Sequence, residues 1–420
     1  MNKTTYTIGI NLYRFLIKLA APFNKKASNM IEGRKNWRQK LTTTLNSVSQ
    51  SKVWFHCASL GEFEQARPLI EKLSDNNICI IVSFFSPSGY EVRKNYEKAD
   101  LVTYLPFDTK SNASDFIDLI KPDLVLFTKY EFWHYFLEEL DSRNIPTILF
   151  SAIFRSSQEF FKPSGDFFRN MLKKFDFLYV QNKKSKELLH GIGLSDNVKI
   201  AGDTRFDRVI DTCNSVKKIP LVEKFKGNNK LLIVGSSWPE DINALQKFFN
   251  SLPNDVKVII APHEISEKSI NKLESSLPQK TMRYSKVSEK ILDSSDSDFL
   301  IIDNFGMLAS VYQYGEISFI GGAFKDGLHN ILEAATFGMP VLFGNKNYKK
   351  FNEAILLIEE GGAFPIADSD EAESLLKKLF LQDGERERIS KISYDFVRKN
   401  KGATDQILKY VEKVLYSGHD

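Results

Sequence analysis

The sequence has few of the residues that specify a site by themselves. Its three cysteines show no paired spacing, which argues against a disulfide framework and indicates small buried residues in a reducing compartment. Its six histidines include no H-x-x-H or H-E-x-x-H pair, so no zinc-hydrolase motif is present. Across 420 residues, 42% are hydrophobic and 26% charged, which is typical of a globular protein of two domains.

A net positive charge is confined to the N-terminus. Residues 1–40 contain nine Lys or Arg and one acid, a net charge of +8, whereas the whole chain carries +4. The other 380 residues therefore sum to −4. A net negative charge over these 380 residues argues against nucleic acid as a partner.

No long hydrophobic run is present either, because Arg14 and Lys18 interrupt the apolar segment 6–23. Its longest charge-free run, 4–13, is half of the roughly 20 residues that span a bilayer. Charges within and behind the segment also do not fit a secretory signal peptide. The segment is either an amphipathic helix lying on an anionic membrane surface or a helix docked on the protein's own core. The local charge favours the membrane, and a short span with snorkelling Arg14 and Lys18 is a further alternative.

After residue 50, short apolar runs alternate with helical patterns. Nearly unbroken apolar runs are typical of parallel strands covered on both faces, so the alternation predicts two doubly wound α/β domains. We predict a membrane-associated segment 1–40, an acceptor-binding domain 41–205, a linker 206–229 and a nucleotide-sugar domain 230–420, whose last helix can pack back on the first domain. The predicted strands lie in VWFHCASL, ICIIVSFF, DLVLFTKY, TILFSAIF, FLYVQ, VKIAGD, KLLIVGSS, VKVIIAPH, FLIIDN, ISFIGGAF, PVLFG and AFPIADS. Ligands of such sheets bind at the carboxyl ends of the strands, which places a site in a cleft between the domains.

The stretch FIGGAFKDGLHNILEAATFGMPVLFG, residues 319–344, carries the densest pattern. Gly321 and Gly322 end a strand and allow a sharp turn with close approach to a ligand. Asn330 and Glu333 lie one turn apart where a helix begins, which suits a phosphate at the amides and a ribose diol at the carboxylate. Equally, Asn330 caps this helix and Glu333 completes the cap.

Three further loops of the second half follow strands. Ser236 and Ser237 in GSSWPED offer donors to a phosphate, although Ser237 also suits the cap of a helix that starts at Pro239. His263 stands at a strand's carboxyl end, where ligand contacts concentrate. Gly306 and Met307 form another strand-to-helix turn, able to meet a flat base.

In the first half, HCASLGEFEQA places Glu62 in the first turn of a helix. The helix dipole stabilises a carboxylate there, and the same position suits a general base. Glu131, at the end of the DLVLFTKYEFW run, is a second carboxylate on the same side. The remaining candidates are loop residues Ser86, Ser88 and Gly89, and the cation Arg205 after AGDT.

Two D-x-D pairs, Asp296/Asp298 and Asp368/Asp370, have the spacing found in metal-dependent sugar transferases. Each lies in a loop rich in Ser and Asp that is better interpreted as solvated. Since no supporting ligands cluster nearby in the sequence, we expect no metal and no cofactor.

Taken together, the motifs resemble a known family. HCASLGEFEQA, FFSPSGYE, YLPFD, IKPDLVLFTKYEFW, AGDTRFD, GSSWPED and the 319–344 block follow in order. They are similar, over nearly the whole chain, to 3-deoxy-D-manno-octulosonic acid (Kdo) transferases of lipopolysaccharide synthesis. The resemblance implies a GT-B-type fold with two Rossmann-like domains facing a central cleft and an N-terminal membrane-surface helix.

The resemblance also implies a reaction: inverting, metal-independent transfer of Kdo from CMP-Kdo to a lipid A precursor of lipid IVA type. It implies peripheral or N-terminal attachment to the cytoplasmic face of the inner membrane of a Gram-negative cell. Glu62 falls on the family's general base, and Glu131 on its second acidic position in the acceptor domain. The residues matching the CMP-binding segments are Ser236, Ser237, His263, Gly306, Met307, Gly321, Gly322, Asn330 and Glu333, with Arg205 where the family usually has Lys.

The sequence departs from the family at a few positions. Lys129 replaces one acid of a Glu-x-Glu, Ser151 and Ile153 stand in an Asn-Ala-Arg motif, and Pro262 stands where an Arg is common. The alternatives are another GT-B nucleotide-sugar enzyme, such as a different membrane glycosyltransferase or a 2-epimerase, and a catalytically silent homologue that binds nucleotide or lipid. The basic N-terminus argues against an epimerase, and Glu62 argues against a silent homologue.

Overall fold

The computed structural model describes residues 1–278, 281–288, 292 and 296–416. The chain forms two compact units. The first contains residues 1–208 together with the C-terminal residues from 401, and the second contains residues 209–400. The predicted second domain, 230–420, includes positions outside the described residues.

The first unit is built on a seven-stranded parallel sheet in the order β3-β2-β1-β4-β5-β6-β7. Its strands are β1 Ser51–Cys57, β2 Ile78–Phe84, β3 Leu101–Tyr104, β4 Leu124–Thr128, β5 Thr147–Ala152, β6 Phe177–Val180 and β7 Val198–Ile200. Its helices are α1 Lys3–Ala20, α2 Lys25–Glu32, α3 Trp37–Leu45, α4 Leu60–Leu73, α5 Pro87–Arg93, α6 Lys110–Ile120, α7 His134–Ser142, α8 Asp166–Leu172 and α9 Lys183–His190, with α10 Arg205–Asn214 at its boundary. A helix at Ala403–Tyr416 packs on α4 and β4, and a single 3-10 turn spans Glu159–Phe161.

The second unit repeats this arrangement. Its parallel sheet has the order β10-β11-β9-β8-β12-β13-β14. The strands are β8 Lys230–Ser237, β9 Val256–Pro262, β10 Thr281–Arg283, β11 Phe299–Ile301, β12 Ile317–Ile320, β13 Val341–Gly344 and β14 Ala363–Ile366. The described helices are α11 Pro220–Lys226, α12 Pro239–Asn250 and α13 Glu267–Ser276, followed by Leu308–Val311, Leu332–Thr336, Asn352–Glu360, Ser369–Leu381 and Asp383–Lys399, with 3-10 turns at Tyr284–Lys286 and Tyr312–Tyr314.

The strand order creates one switch point in each sheet. The chain moves outward from β1 through β2 to β3 and then returns to the other side of β1 with β4. In the second sheet the chain moves outward from β8 through β9 to β10, places β11 between β9 and β10, and then crosses to the other side of β8 with β12. At such a point the loops after the two neighbouring strands diverge and leave a crevice for a ligand. The crevices therefore lie beyond the ends of β1 and β4 in one unit and of β8 and β12 in the other.

The predicted fold class is confirmed, as two parallel, doubly wound α/β units of seven strands each. Each predicted apolar run contains a strand, but the runs miss β3 and β10. Both are edge strands with a single neighbour. They are four and three residues long, and each includes a polar residue, Thr103 or Arg283, so little apolar pattern remains.

Helices bury one face on these sheets. In α4, Ala66, Leu69, Ile70 and Leu73 are almost fully shielded. They join side chains of the central strands in one core cluster. Burial of this face fixes the rotation of α4, and so determines where the polar residues of its first turn lie.

The N-terminal helices attach to the first sheet through a buried arginine. Arg34 donates hydrogen bonds to the carbonyls of Met30, Phe85 and Leu105, at 2.7 to 3.0 Å. Its guanidinium also lies about 4.8 Å from the ring centres of Tyr104 and of other aromatic side chains. Burial lowers the pKa of Arg34 to about 10, so the group stays charged at neutral pH. This cation ties α2 to the segments that follow β2 and β3.

Replacing Arg34 by Met should destabilise the first unit by ~3 kcal/mol, because three carbonyls would lose a charged donor. Tryptophan fluorescence during urea unfolding measures this in a Trp238→Phe background, since the other three tryptophans lie in the first unit. Arg38→Met is the matched control, because Arg38 makes an exposed ion pair with Asp115 worth at most about 1 kcal/mol. Equal shifts for both variants would contradict the prediction.

Candidate active site

Glu62 lies in the first turn of α4, directly after β1, as the sequence predicts. The hydroxyl of Ser59 donates a hydrogen bond to its carboxylate. The side chain is half-buried and lies at the positive end of the helix. A carboxylate held on a rigid element in this way is able to accept a proton from a ligand hydroxyl.

Glu131 follows β4 and lies in a buried hydrogen-bond network. One of its carboxylate oxygens, Oε2, is 2.9 Å from Nε2 of His56 and accepts a hydrogen bond of 2.7 Å from the indole N–H of Trp133. The other ring nitrogen of His56 is 2.8 Å from the hydroxyl of Ser83, which accepts from the indole N–H of Trp54. Glu131 is 7% exposed and His56 is fully buried, so the network holds this carboxylate in one orientation.

The thiol of Cys57, at the end of β1, lies within electrostatic reach of both carboxylates. Burial has the largest effect in raising its pKa, and the charges of Glu62 and Glu131 raise it further. Burial also raises the pKa of Tyr130, again with a contribution from Glu62. The structure thus brings Glu62 and Glu131 to the switch point of the first sheet.

Arg205 begins α10 and pairs with Asp203 at 2.8 Å. Asp203 is buried and also accepts hydrogen bonds from the amides of Gln65 and Gln181. Burial by itself raises the pKa of Asp203, but Arg205 and the hydrogen bonds outweigh this effect and lower it. Any anion that binds Arg205 must therefore share the guanidinium with Asp203.

The loop with Ser86, Ser88 and Gly89 has clear structural roles. Ser86 caps α5 by accepting a hydrogen bond from the backbone N–H of Ser88. Gly89 packs so closely on the ring of Phe84 that an added Cβ would lie 2.2 Å from a ring atom. Ser88 is exposed and shares a 3.0 Å contact with the Ser86 hydroxyl. These contacts account for the residue types, and a role in acceptor binding stays a prediction.

In the second unit, the Gly-Gly turn follows β12 at the switch point. Gly322 has φ = +95°, a left-handed conformation that favours glycine. A Cβ on Gly321 would lie 2.4 Å from the carbonyl oxygen of Ser236 and 2.6 Å from a carboxylate oxygen of Asp241. The close approach that requires this glycine is therefore to the loop after β8.

Asp241 joins these two loops. It is fully buried, and its Oδ2 accepts hydrogen bonds from the backbone N–H groups of Trp238 and Gly322 at 2.8 and 2.9 Å. The helix starts at Pro239 as predicted, but Asp241 caps it instead of Ser237. Burial raises the pKa of Asp241 to about 6, against the effect of both N–H donors.

Ser236 and Ser237 lie at the end of β8, where the register with β9 shifts. Ser236 has φ = +51°, which is uncommon for a residue with a side chain. Lys129 and Ser151, at the carboxyl ends of β4 and β5, are likewise left-handed. Such strained residues cluster at functional sites. The hydroxyl oxygen of Ser237 is buried without a hydrogen-bond partner in the structure, so a ligand or water is needed to satisfy it.

An aromatic group stands beside this loop. The imidazole of His263 stacks on Trp238 and on His329, with ring centres 4.6 Å apart in both pairs. The indole of Trp238 donates to Nε2 of His329 at 3.2 Å, which leaves the His329 proton on Nδ1. Burial, and then the neighbouring His263, lower the pKa of His329 to about 4. The ammonium of Lys325 lies 3.6 Å from the Trp238 ring centre, so this group offers flat rings, a neutral N–H donor and a cation.

Asn330 and Glu333 contact each other at the start of the helix Leu332–Thr336. The Asn330 amide donates to the Glu333 carboxylate at 3.0 Å, and its oxygen accepts from the backbone N–H of Leu332. Both side chains are at least partly accessible. Asn330 thus accepts one backbone N–H of the first turn, but the N-cap residue is Ile331 and Glu333 accepts from the Asn330 side chain instead of a backbone N–H, so the pair does not form the predicted cap. Nucleotide binding by this pair stays a prediction.

Gly306 and Met307 lie in the turn between β11 and the helix Leu308–Val311, as predicted. Gly306 has φ = +86°, and a Cβ added there would meet no atom of the described residues within 4 Å. The neighbouring Phe305 is 80% exposed. This turn presents accessible backbone and an exposed ring, and contact with a base stays a prediction.

The D-x-D loops contain no metal cluster in the described part of the chain, where no group of three His, Cys, Asp or Glu side chains converges. Asp368 caps the helix Ser369–Leu381 by accepting from the backbone N–H groups of Asp370 and Glu371. Asp370 pairs with Lys247. Capping and surface pairing therefore explain this pair of carboxylates.

Sequence reasoning missed several residues that surround the candidates: His56, Trp133, Trp238, Asp241, Lys325 and His329. His56 lies within a predicted strand, and a polar residue in an otherwise apolar run is a usable signal of a buried network. Asp241 follows Pro239 by two positions, which is a capping signal. Trp238, Lys325 and His329 carry no such signal, because only the folded chain brings them together.

The helix α1 leaves apolar side chains exposed. Its buried residue Ile17 packs with Ala27, Met30 and Phe107, as expected for a helix docked on the protein. Exposed apolar residues occupy another face of the same segment: Ile8, Leu12, Phe15, Leu16, Leu19 and Phe23, each more than half exposed. Among the helices of the described residues, none is long and apolar enough to cross a membrane.

Asp241 should make the second unit less stable as pH rises. Its folded pKa of about 6 exceeds the ordinary 3.8, so its stabilising contribution is complete below pH 4 and is lost as pH rises through 6. Between pH 4 and 7, wild type should lose about 3 kcal/mol relative to Asp241→Asn. Hydrogen–deuterium exchange of peptides from the second unit, measured in increasing urea, gives this difference. Asp255→Asn, at an exposed pair with Lys230, is the control, and a pH-independent difference for Asp241→Asn would contradict the prediction.

Comparison with known proteins agrees with the motifs. Residues 35–208 match the family described as 3-deoxy-D-manno-octulosonic-acid transferase (kdotransferase). The chain is 27% identical over 370 residues to the 3-deoxy-D-manno-octulosonic acid transferase of Rickettsia bellii (strain RML369-C), covering 86% of this chain and 87% of the relative. It is 24% identical over 377 residues to the enzyme of the same name from Haemophilus influenzae (strain ATCC 51907 / DSM 11121 / KW20 / Rd), with 86% and 87% covered.

Solved structures support the fold alone. UDP-GlcNAc 2-epimerase from Neisseria meningitidis matches with a TM-score of 0.62 at 15% identity, covering 86% of this chain and all of that one. A glycosyltransferase from Rickettsia africae matches with a TM-score of 0.58 at 12% identity, covering 88% and 100%. The match over residues 35–208 and the relatives of the same name identify the chain as a glycosyltransferase that is similar to Kdo transferases.

Proposed function

We propose that this glycosyltransferase moves Kdo from CMP-Kdo to a lipid A precursor of lipid IVA type. The observation that carries the proposal is the convergence of Glu62 and Glu131 at the switch point of the first sheet. The Gly321-Gly322 turn and Ser237 occupy the equivalent point of the second sheet. One unit thus offers acids for an acceptor, and the other offers donors and flat rings for a nucleotide.

In the proposed reaction, Glu62 removes the proton from a hydroxyl of the acceptor sugar. The oxygen of that hydroxyl forms a bond to the anomeric carbon of Kdo, and the bond from this carbon to the phosphate oxygen breaks, so that CMP leaves with the electron pair. A single displacement of this kind inverts the anomeric configuration. The position of Glu62 supports its role, because a base on a rigid helix keeps its distance to the acceptor fixed.

Charge develops on the phosphate as CMP leaves, and we propose that the chain's own groups stabilise it. The candidates in the second unit are Ser236, Ser237, and the backbone around Gly321 and Gly322. Fixed N–H and O–H donors are effective here because they need no reorganisation during the reaction. Arg205 is a further candidate for an anionic substrate group, and we propose that no metal takes part.

For the nucleotide, the aromatic group around His263 supports binding of a flat base or of an anionic sugar. The stacked rings provide apolar area, and Lys325 provides a cation beside them. Glu333 is a candidate partner for the ribose diol once Asn330 releases it. Gly306 and Met307 complete the proposed CMP site.

We further propose that the protein acts at the cytoplasmic face of the inner membrane, as a peripheral protein held by α1. Six exposed apolar side chains lie along one face of residues 8–23. Lysines 18, 25 and 26 follow or flank this face, which suits anionic headgroups. A lipid acceptor stays in the bilayer, so anchoring the acceptor domain there raises the effective concentration of acceptor.

Purified protein with CMP-Kdo and lipid IVA should release CMP and yield a lipid heavier by whole Kdo units. Glu62→Gln keeps the size of the side chain and removes its basicity, so we expect kcat to fall by about 10²–10⁴-fold. Binding of CMP, measured by calorimetry, should be unchanged. Glu387→Gln, on an exposed helix position, is the matched control and should keep full activity.

Three outcomes would contradict this proposal in different ways. Transfer that persists in Glu62→Gln would discard Glu62 as the base and keep the enzyme. No transfer by wild type, with CMP binding intact, would indicate a different acceptor or a silent homologue. Interconversion of a nucleotide sugar without any lipid acceptor would favour an epimerase.

Replacing Phe15 and Leu19 together by Ser should weaken binding to vesicles that contain anionic phospholipid. Each side chain contributes roughly 1.5–3 kcal/mol when it enters an apolar phase, so we expect the apparent Kd to rise at least about tenfold. Vesicle co-sedimentation measures this. The control is Leu381→Ser, which removes a side chain that is 76% exposed in the second unit. Equal binding by the α1 variant and the control would contradict a membrane role for this face.

A further inference from the structure

The buried network around Glu131 contains groups to which neither the motifs nor the proposed reaction assign a role. His56 lies in β1 and is fully shielded from solvent. Its register partner on β2 is Ser83, and its opposite ring nitrogen faces Glu131 beyond the end of β4. The imidazole therefore connects the middle of the sheet to a carboxylate at the switch point.

The hydrogen-bond partners fix the position of the imidazole proton. An indole N–H only donates, so the hydroxyl oxygen of Ser83 accepts from Trp54 at 2.7 Å. The hydroxyl hydrogen of Ser83 is then directed to Nδ1 of His56, at 2.8 Å. With Nδ1 accepting, the ring proton lies on Nε2 and is donated to the carboxylate of Glu131, because two acceptors 2.9 Å apart would repel each other. The indole N–H of Trp133 also lies 3.0 Å from Nε2, but it is closer to Oε2 of Glu131, at 2.7 Å, and we assign its hydrogen bond to the carboxylate.

Both N–H donors to Glu131 use the same carboxylate oxygen. Nε2 of His56 and Nε1 of Trp133 lie 2.9 and 2.7 Å from Oε2. Among the described residues, both hydrogen bonds of the Glu131 carboxylate go to Oε2 and none to Oε1, which leaves Oε1 for a ligand. An ionised carboxylate accepts up to four hydrogen bonds, two at each oxygen, so both lone pairs of Oε1 are able to accept a hydrogen bond.

Glu131 lines a cavity of about 460 Å³ within the first unit. Its walls include the rings of Tyr130, Phe132, Trp133, Phe160 and Phe168, and its polar lining includes Ser157, Gln158 and Glu159, whose carboxylate pairs with Lys162. Flat rings with a few fixed polar groups are suited to the apolar and hydroxyl faces of a sugar. The cavity thus combines rings with one oriented carboxylate.

We propose that His56 is a positioning residue, which holds the Glu131 carboxylate so that Oε1 accepts a hydrogen bond from a hydroxyl of the acceptor sugar in this cavity. Ser83 and Trp54 act behind it by fixing the imidazole. The acceptor part of this inference rests on the proposed function, whereas the proton assignment rests on the geometry alone. The role differs from that of Glu62, because His56 touches the acceptor only through Glu131.

The first test is spectroscopic and needs no activity. Nitrogen-15 NMR of histidine-labelled full-length protein distinguishes the two neutral tautomers, and the spectrum of His56→Gln identifies the His56 signals. We expect a neutral ring protonated at Nε2, with a protected N–H that shifts in Glu131→Gln. A ring protonated at Nδ1 alone would overturn the proposal.

The second test is kinetic and compares two replacements. Gln at position 56 is able to place an amide N–H near the position of Nε2, whereas Leu removes the donor. His56→Leu should raise KM for the lipid acceptor by about tenfold, as expected when a buried charged acceptor loses one donor. KM for CMP-Kdo should stay unchanged, and His56→Gln should restore most of the acceptor affinity. His190→Leu, on an exposed histidine of α9, is the control.

A double-mutant cycle tests whether His56 acts through Glu131. If it does, adding His56→Leu to Glu131→Gln should raise KM for the acceptor no further than Glu131→Gln alone. Additive effects, or equal losses for the Leu and Gln variants, would overturn the proposal. If His56→Leu does not fold, Ser83→Ala should show the same selective rise in a smaller degree, and unchanged acceptor KM there would overturn it.

The experiments can refute the proposed function and the positioning role of His56 independently of each other. Absence of Kdo transfer by wild type would remove the proposed function, while the tautomer of His56 would still be measurable. Normal transfer with unchanged acceptor KM in the His56 variants would remove the positioning role and keep the enzyme.

Discussion

The strand order of the two sheets is the constraint on which the rest of the structure depends. A parallel strand requires a crossover connection, and the chain reverses its direction of winding once in each sheet. The reversal separates the loops after β1 and β4, and those after β8 and β12. The polar residues of these loops can be accessible there without breaking the core, since the residues of the central strands below them are mostly buried.

Buried carboxylates stabilise the loops at these points. Asp241 joins the loops after β8 and β12 by accepting two backbone N–H groups, and Asp203 binds Gln65, Gln181 and Arg205. Each carboxylate crosslinks segments that are far apart in the chain. Backbone donors in tight loops need such acceptors when water is excluded. The same contacts make the loops rigid, which keeps donors and bases in place for a substrate.

The N-terminal helices are attached by polar contacts and leave an apolar face uncovered. Arg34 anchors α2, while Tyr6 donates to the buried carboxylate of Asp108, whose pKa burial raises to about 6. Asp108 also accepts the backbone N–H groups of Tyr135 and Phe136 at the start of α7. The helix α1 thus has a docked face and a free face, so the two interpretations drawn from the sequence are compatible.

The sequence by itself determined the α/β class, the positions of the central strands, and the placement of Glu62 in the first turn of α4. Each of these follows from local pattern: buried strands are apolar throughout, and a helix start shows its cap and its first acid. The strands β3 and β10 were missed because they are short and contain a polar residue, which leaves little apolar pattern. Only the tertiary structure decided that Ser83 and His56 share a register, that His56 meets Glu131, and that Trp238 meets His329. These contacts join residues 27 to 91 positions apart, and no local signal encodes which distant side chain will satisfy a buried polar group.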